Sequence, residues 1–251
     1  MASEAQQTPA TPVPVPVPSV WTRPRRRKEQ PALSREQIVA AAVRLLDAEG
    51  LEALSMRKLG AGMGTAATSL YRHVANKDEL IELVVDEVFG ELELPEAIGP
   101  QGWRAALSHC GHSLRDMVLR HPWMASVLGQ VGLAHLGPNL MSMSERMLGL
   151  AQTAGFPPGE ADLAIKAVVS YVIGATTSEA SYLSLLARSG KSEPEWLESL
   201  RPAAQEALED HPLTKERAAS RQGLDPARLR EETFDYGLQR VLDGLATRIT
   251  A

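Results

Sequence analysis

The sequence predicts an all-α protein in which a small N-terminal helix-turn-helix three-helix domain precedes a larger C-terminal helical domain. Three observations carry this. Apolar residues recur at helical spacing from Ser34 almost to the C-terminus, capping residues and Gly/Pro breaks punctuate those runs at helix-length intervals, and no segment alternates as a strand does. The 251 residues are enough for a substantial core, and the balance of 44% apolar to 23% charged residues is that of an ordinary globular chain. No apolar run approaches the roughly 20 residues a membrane helix needs. The N-terminus lacks the charged-then-apolar pattern of a secretory leader. Cys110 is the only cysteine, which excludes an internal disulfide and a multi-cysteine zinc site. Together these lead us to expect a cytoplasmic protein without a cofactor.

Residues 1–31 carry no apolar periodicity. Pro9, Pro12, Pro14, Pro16 and Pro18 make this an extended, disordered tail, and it closes on a basic arm of Arg23, Arg25, Arg26, Arg27 and Lys28. The arm has two readings, a minor-groove contact or a solubilising tail. Charge is segregated along the chain. Eleven Lys/Arg face five Asp/Glu between Thr22 and Lys77, but 15 face 25 from Asp78 onward, within a net charge of −5. An acidic protein with one basic end should be oriented by that end toward polyphosphate.

The expected helix-turn-helix domain spans residues 32–92. Its first helix, Ser34 to Glu49, opens on a Ser34/Gln37 capping box, turns Ile38, Ala41, Ala42, Leu45 and Leu46 inward, and stops at Gly50. A second, shorter helix starts at Ser55, with Leu54 and Leu59 as a hydrophobic staple, and ends at Gly64. A third runs for two turns from Ala66 to His73. A fourth follows Asn76, whose partner Glu79 completes a further capping box, and carries Leu80, Leu83, Val84 and Val88 inward.

Two short helices joined by a glycine turn are the arrangement that presents one helix to the major groove. In Thr65–His73, Leu70 is the inward anchor, and the residues around it are small or able to form hydrogen bonds. Small side chains allow close approach to bases, hydroxyls bond bases or phosphates, and Arg72 suits guanine or a phosphate. Arg57 lies in the first turn of the preceding helix. Lys77 opens the next one, where its charge and the helix dipole favour the same anion.

These residues resemble the TetR family of regulators. The resemblance rests on Ala41-Ala42, Leu45-Leu46, Gly50-Leu51, Ser55-Met56-Arg57-Lys58-Leu59, Ser69-Leu70-Tyr71-Arg72-His73-Val74, Asn76-Lys77 and Leu80. Carried onto matching positions, it implies DNA contact by Ser55, Arg57, Ala67, Thr68, Ser69, Tyr71, Arg72, His73 and Lys77, with Tyr71, His73 and Lys77 mainly at phosphates. The chain departs from the family pattern at Gly60, Gly62 and Thr65. The two glycines lead us to expect a weakened second helix, at up to ~1 kcal/mol each relative to alanine.

Residues 93–251 form the expected ligand-binding and dimerisation domain, with helices over about Gly102–Arg120, Pro122–Val131, Asn139–Ala154, Pro158–Ala187, Glu193–Glu209 and Pro226–Thr250. Glu193–Gly223 reads equally as a helix-bearing flap or a loose loop. The long helix ending at Ala187 is apolar on two sides, Leu163, Ala167 and Gly174 on one and Ala164, Val168, Tyr171, Val172 and Ala175 on the other. The last helix offers Phe234, Leu238, Val241, Leu242, Leu245 and Ile249, with Gly237 and Gly244 permitting close approach. Two copies of the helices 160–187 and 226–250 would make an intersubunit four-helix bundle. Segments of this domain are similar to the tetracycline-repressor-type C-terminal domain.

The resemblance implies a homodimer that binds palindromic double-stranded operator DNA as a repressor and is released by a small organic effector held among the C-terminal helices. The candidate lining is Trp103, His109, Met117, Trp123, Met124, Met141, Met147, Tyr171, Glu179 and Tyr182, a composition suited to a largely apolar ligand with one polar anchor. His109-Cys110-Gly111-His112 invites a metal or redox reading, but two imidazoles and a thiol are an incomplete zinc set. A small enzyme and a nonspecific architectural DNA-binding protein are the competing classes. The first lacks a phosphate loop or nucleophile elbow, and the second would need a strongly basic chain.

Overall fold

A computed structural model describes residues 33–93, 95, 102–130 and 137–249. The basic arm Arg23–Lys28 and the rest of the N-terminal tail lie outside the described residues. Every regular element among those described is helical.

Helix α1 (Arg35–Glu49) starts where the Ser34 hydroxyl accepts the Gln37 amide at 3.2 Å and the Gln37 side chain accepts the Ser34 amide at 3.1 Å, the reciprocal cap read from the sequence. It stops at Gly50, whose φ of 80° is open to glycine and strained for other residues. Ile38, Val39, Ala42 and Leu46 are buried. Helices α2 (Met56–Gly62) and α3 (Ala67–Leu70) follow, then α4 (Lys77–Phe89). The third element is shorter than its sequence pattern, with one regular turn followed by turns in which His73 and Val74 donate to the Leu70 carbonyl. The cap of α4 also differs in detail. Asn76 Oδ1 accepts the Glu79 amide at 2.8 Å, but the Glu79 carboxylate reaches one residue further back, to the Ala75 amide.

The larger body is built on α5 (Trp103–Arg120), α6 (Pro138–Thr153), α7 (Pro158–Ser189), α8 (Glu193–Ala207), α9 (Pro212–Ser220) and α10 (Pro226–Ala246). The 32-residue α7 is its spine, packing against α5, α6 and α10. Ala164, Val168 and Val172 face that core, while Leu163, Ala167 and Gly174 are exposed on the opposite side. Gly111 is the point where α10 meets α5. A Cβ there would lie 2.9 Å from Leu238 Cδ2, so any larger residue would displace that side chain. Gly237 is placed in the same way against the Tyr171 ring of its own chain. It therefore serves the subunit's own core, whereas Gly244, with open space before it, is the glycine free for another partner.

The helix expected over Pro122–Val131 is instead two 3-10 turns, Pro122–Ser126 and Leu128–Gln130, and Val131 lies outside the described residues. The tighter winding puts Trp123, Met124, Val127 and Leu128 all inward within six residues. The undecided stretch after residue 193 is helical, as α8 and α9, and almost all of it is solvent-exposed. No helix among the described residues is long and apolar enough to cross a membrane. Helices α1–α4, the reading head, and the larger body belong to one compact unit, Ser34–Ala251.

Candidate functional site

The reading head is held from behind and open in front. Ser55 caps α2 by accepting the Lys58 amide at 3.2 Å, and Met56, Leu59 and Gly60 face inward. Gly60 is a structural requirement, not only a weak helix former. A Cβ on it would lie 2.9 Å from the Thr65 carbonyl oxygen and 3.2 Å from the Ala67 amide, and its own carbonyl accepts the Thr65 amide at 2.9 Å. The glycine lets the turn fold back onto α2, with Gly64 at φ 67° making the reversal. Gly62 has open space around it, so the propensity cost expected from sequence remains there alone.

Leu70 is fully buried and pins α3, as its pattern predicts. Ser55, Arg57, Thr68, Tyr71, Arg72 and Lys77 are exposed, while Ala67, Ser69 and His73 are half-buried. Lys58 is tied to Glu49 of α1. Arg57, Arg72 and Lys77 form no ion pair with any described residue, so these three cations are free to meet phosphate or a base edge. Tyr71 is 52% exposed, a large ring left at the surface beside them.

In the body, the candidate lining residues have different surroundings. Met117, Met124 and Met147 are buried, Met141 is exposed, and Trp103 packs edge-on against Phe156 with ring centres 5.7 Å apart. Trp123 is buried, its indole N–H donating to Asp47 at 2.8 Å. Tyr171 donates to the Phe234 carbonyl at 2.8 Å. Glu179 and Tyr182 belong to a polar chain that the sequence analysis missed. Arg115 donates through Nε and Nη2 to both Glu179 oxygens at 2.8 Å, with both side chains about nine-tenths buried. Arg230 reaches Glu179 at 3.4 Å and also pairs with Glu193, which accepts the Tyr182 hydroxyl at 2.5 Å. Burial pushes the Tyr182 hydroxyl up to about 12, and the Glu193 carboxylate adds to it, so the phenol is a neutral donor. A cleft of about 930 Å³ opens beside this chain, walled by Tyr182, Glu193, Leu197, Leu208, Leu229 and Arg230 among others. The missed signal was Arg115, a charge set among Leu114, Met117 and Val118 on the inward side of α5.

The His109–His112 segment is divided among separate partners. His112 meets Asp235 at 2.9 Å and His109 lies 3.7 Å from Glu93. Burial pushes the Cys110 thiol up to about 11, which leaves it protonated and a poor nucleophile. No group of three or more His, Cys, Asp or Glu among the described residues is arranged to hold a metal ion.

A helix-turn-helix head with free cations on a larger all-helical body defines a class, the one-component DNA-binding regulators. Residues 38–84 match the family described as bacterial regulatory proteins, tetR family, and residues 94–249 match the tetracyclin repressor-like C-terminal domain. The chain belongs to the TetR family of transcriptional regulators. It is 35% identical to the HTH-type transcriptional repressor DrrR1 of Streptomyces coeruleorubidus over 230 residues, covering 90% of this chain and 83% of that one. It is 27% identical to the class D tetracycline repressor protein of Escherichia coli, covering 87% and 92%. Among solved structures it resembles the Streptomyces coelicolor TetR family protein ActR in complex with actinorhodin, at TM-score 0.69 and 31% identity over 86% of this chain and 97% of that one.

Proposed function

We propose that this chain is a homodimeric repressor that binds a palindromic operator through the reading head of residues 32–92 and is released by a small organic effector taken up by residues 93–251. The observation that carries the DNA half is the exposed, unpaired set Arg57, Arg72 and Lys77 around a rigidly anchored Leu70. Ser55, Ala67, Thr68, Ser69, Tyr71 and His73 complete the contact surface. The effector half is supported by the resemblance to ActR, solved with actinorhodin, and by the cleft beside Tyr182 and Arg230. There an organic molecule would meet leucine walls and a paired set of polar groups, which suits a ring system bearing hydroxyl or carbonyl groups.

The dimer is assigned to α7 and α10. Leu163, Ala167, Ser170, Gly174, Ser178 and Ser181 form an exposed stripe of mostly small residues that ends on Leu185. Gly244 and the exposed Tyr236 lie on the outer side of α10. Small residues over several turns allow two helices to pack closely, and a two-fold pair of such faces sets two reading heads about one helical turn of DNA apart. The relatives are regulators, and we assign this chain no turnover and a cytoplasmic location.

Selection of bound duplexes from a random DNA pool tests the whole reading. The expected result is one palindromic consensus with half-sites about 10 base pairs apart, bound far more tightly than unrelated DNA. Recovery of random sequence would instead support a nonspecific, architectural binder.

A further inference from the structure

His121 closes α5 where the body meets the reading head, and its ring is buried. Nδ1 lies 2.7 Å from Asp47 Oδ1 near the end of α1, and Nε2 lies 3.2 Å from both carboxylate oxygens of Glu91, just past the end of α4. Each ring nitrogen therefore faces an acceptor supplied by the reading-head side of the molecule. A neutral imidazole has one N–H and one lone pair, so it satisfies one of these carboxylates and turns a lone pair toward the other. Only the imidazolium donates to both.

We infer that His121 is a positioning residue for the reading head, acting as a proton-dependent tie between α5 and the two helices that frame the helix-turn-helix. The inference rests on the assignment of residues 32–92 as the DNA-binding domain. Protonated, the ring bridges Asp47 and Glu91. Deprotonated, it keeps one of the two bonds, and the reading head is freer to turn on the body.

The surroundings are arranged around this ring. Asp47 also accepts the Trp123 indole N–H at 2.8 Å, which fixes its carboxylate toward the histidine. Arg120 of α5 sits on Glu91 at 3.1 Å, not on the ring. The helix α7, packed behind the Pro122–Ser126 turn, makes no hydrogen bond or ion pair with the ring. Among the described residues, the charged groups paired at the tie are Asp47, Glu91, Arg120 and His121. Burial raises Glu91, but the hydrogen bonds from His121 and Arg120 outweigh it and hold its carboxyl below the ordinary range. Glu91 therefore stays ionised throughout the interval in which an imidazole changes charge.

The Trp123 indole N–H reports on the tie directly. In the full-length protein labelled with 15N at tryptophan, its resonance should move in one step as pH is carried across the interval in which an imidazole changes charge. His121→Gln should abolish the step. Asp47→Asn and Glu91→Gln, which each remove one of the opposite charges facing the ring, should each move the midpoint down. These two variants keep the inference testable if His121→Gln does not fold. Affinity for the selected operator duplex should change about fivefold or more across the same interval in His73→Gln and stay flat in the His73→Gln/His121→Gln double variant. His73, the histidine of the reading head, is replaced by Gln alongside and should leave the Trp123 step in place. A Trp123 resonance that ignores pH, a step that survives in His121→Gln, or midpoints unmoved in the two carboxylate variants would each overturn the inference. If no operator is recovered, the indole titration still decides it.

Discussion

The Asp86 carboxylate of α4 accepts the Leu140 amide in the first turn of α6 at 3.0 Å. The same carboxylate lies 3.3 Å from the Asn139 amide, and the Asn139 side chain donates to the Asp86 carbonyl at 3.0 Å. Gly137, the residue before α6, has no side chain with which to cap it, and a Cβ there would fall on the Asp86 carboxylate. The helix that closes the reading head thus caps a helix of the body. Any shift of α6 must carry α4 with it or break the cap.

Replacing Asp86 with Ala should therefore lower global stability by about 1–2 kcal/mol, the usual loss for a helix cap. It should also reduce the effect of effector on operator affinity, since one of the ties between the two parts is gone. Gly137→Ala should destabilise as well, because Asp86 has to leave its position. Urea denaturation gives the first quantity for both variants, and a normal midpoint for Asp86→Ala would show that α6 holds without this cap.

The Arg115–Glu179 pair should behave as a buried charge pair does when one partner is removed. Glu179→Ala leaves Arg115 uncompensated and takes from Arg230 one of its two carboxylates, so a loss of about 3–5 kcal/mol is expected. Replacing Arg115 and Glu179 together with Met and Leu should recover much of that loss, because no unpaired charge remains. Equal loss in the single and double variants would mean that packing, not charge, holds this region.

Gly60 and Gly62 predict opposite outcomes for one chemical change. Gly60→Ala drives a Cβ to 2.9 Å from the Thr65 carbonyl oxygen, against backbone that cannot move aside, and should destabilise the reading head and weaken operator binding. Gly62→Ala meets open space and should stabilise by up to ~1 kcal/mol. Thermal unfolding of the two variants makes the comparison. Stabilisation by both would refute the close approach of the turn.

How much of this was legible in the sequence follows from where each piece of information resides. Caps and stops are local, so Ser34/Gln37, Gly50, Ser55 and Asn76 fall where their spacing places them. Leu70 was found because one apolar residue among small polar ones has only one role open to it. Gly60 looked like a flaw because helix propensity ignores the neighbour that the turn brings back onto it. The Arg115–Glu179–Arg230–Glu193 chain joins residues up to 115 positions apart, and no local pattern announces that. His121 carries no local signal beyond the proline that follows it, because Asp47 and Glu91 reach it through the tertiary fold.

Glu91 sets the acid side of stability. Its folded value lies below the ordinary 4.5 because the His121 and Arg120 hydrogen bonds outweigh the effect of burial. The stability it contributes is therefore full above about pH 4.5 and is lost as pH falls through the lowered value. Glu91→Gln should flatten this part of the acid-unfolding curve and leave the neutral region changed less. An acid limb identical to the wild type would mean that Glu91 is as well served in the unfolded chain.

The reading head separates residues that specify from residues that position. Arg72 is exposed just after α3 and unpaired, as is Arg57 in the first turn of α2, so each can present a guanidinium to a base edge. Arg72→Ala or Arg57→Ala should cost about 1–3 kcal/mol of operator affinity and relax the preference at one base pair of each half-site. Lys77 begins α4, whose positive end favours an anion, and a lysine on phosphate reads charge without reading sequence. Lys77→Ala should weaken operator and unrelated DNA by similar factors and reduce the slope of log K against log salt by about one for each protomer. Anisotropy titrations on both duplexes over a range of salt distinguish the two behaviours. If Lys77→Ala altered base preference while Arg72→Ala altered only the salt slope, the two roles would have to be exchanged.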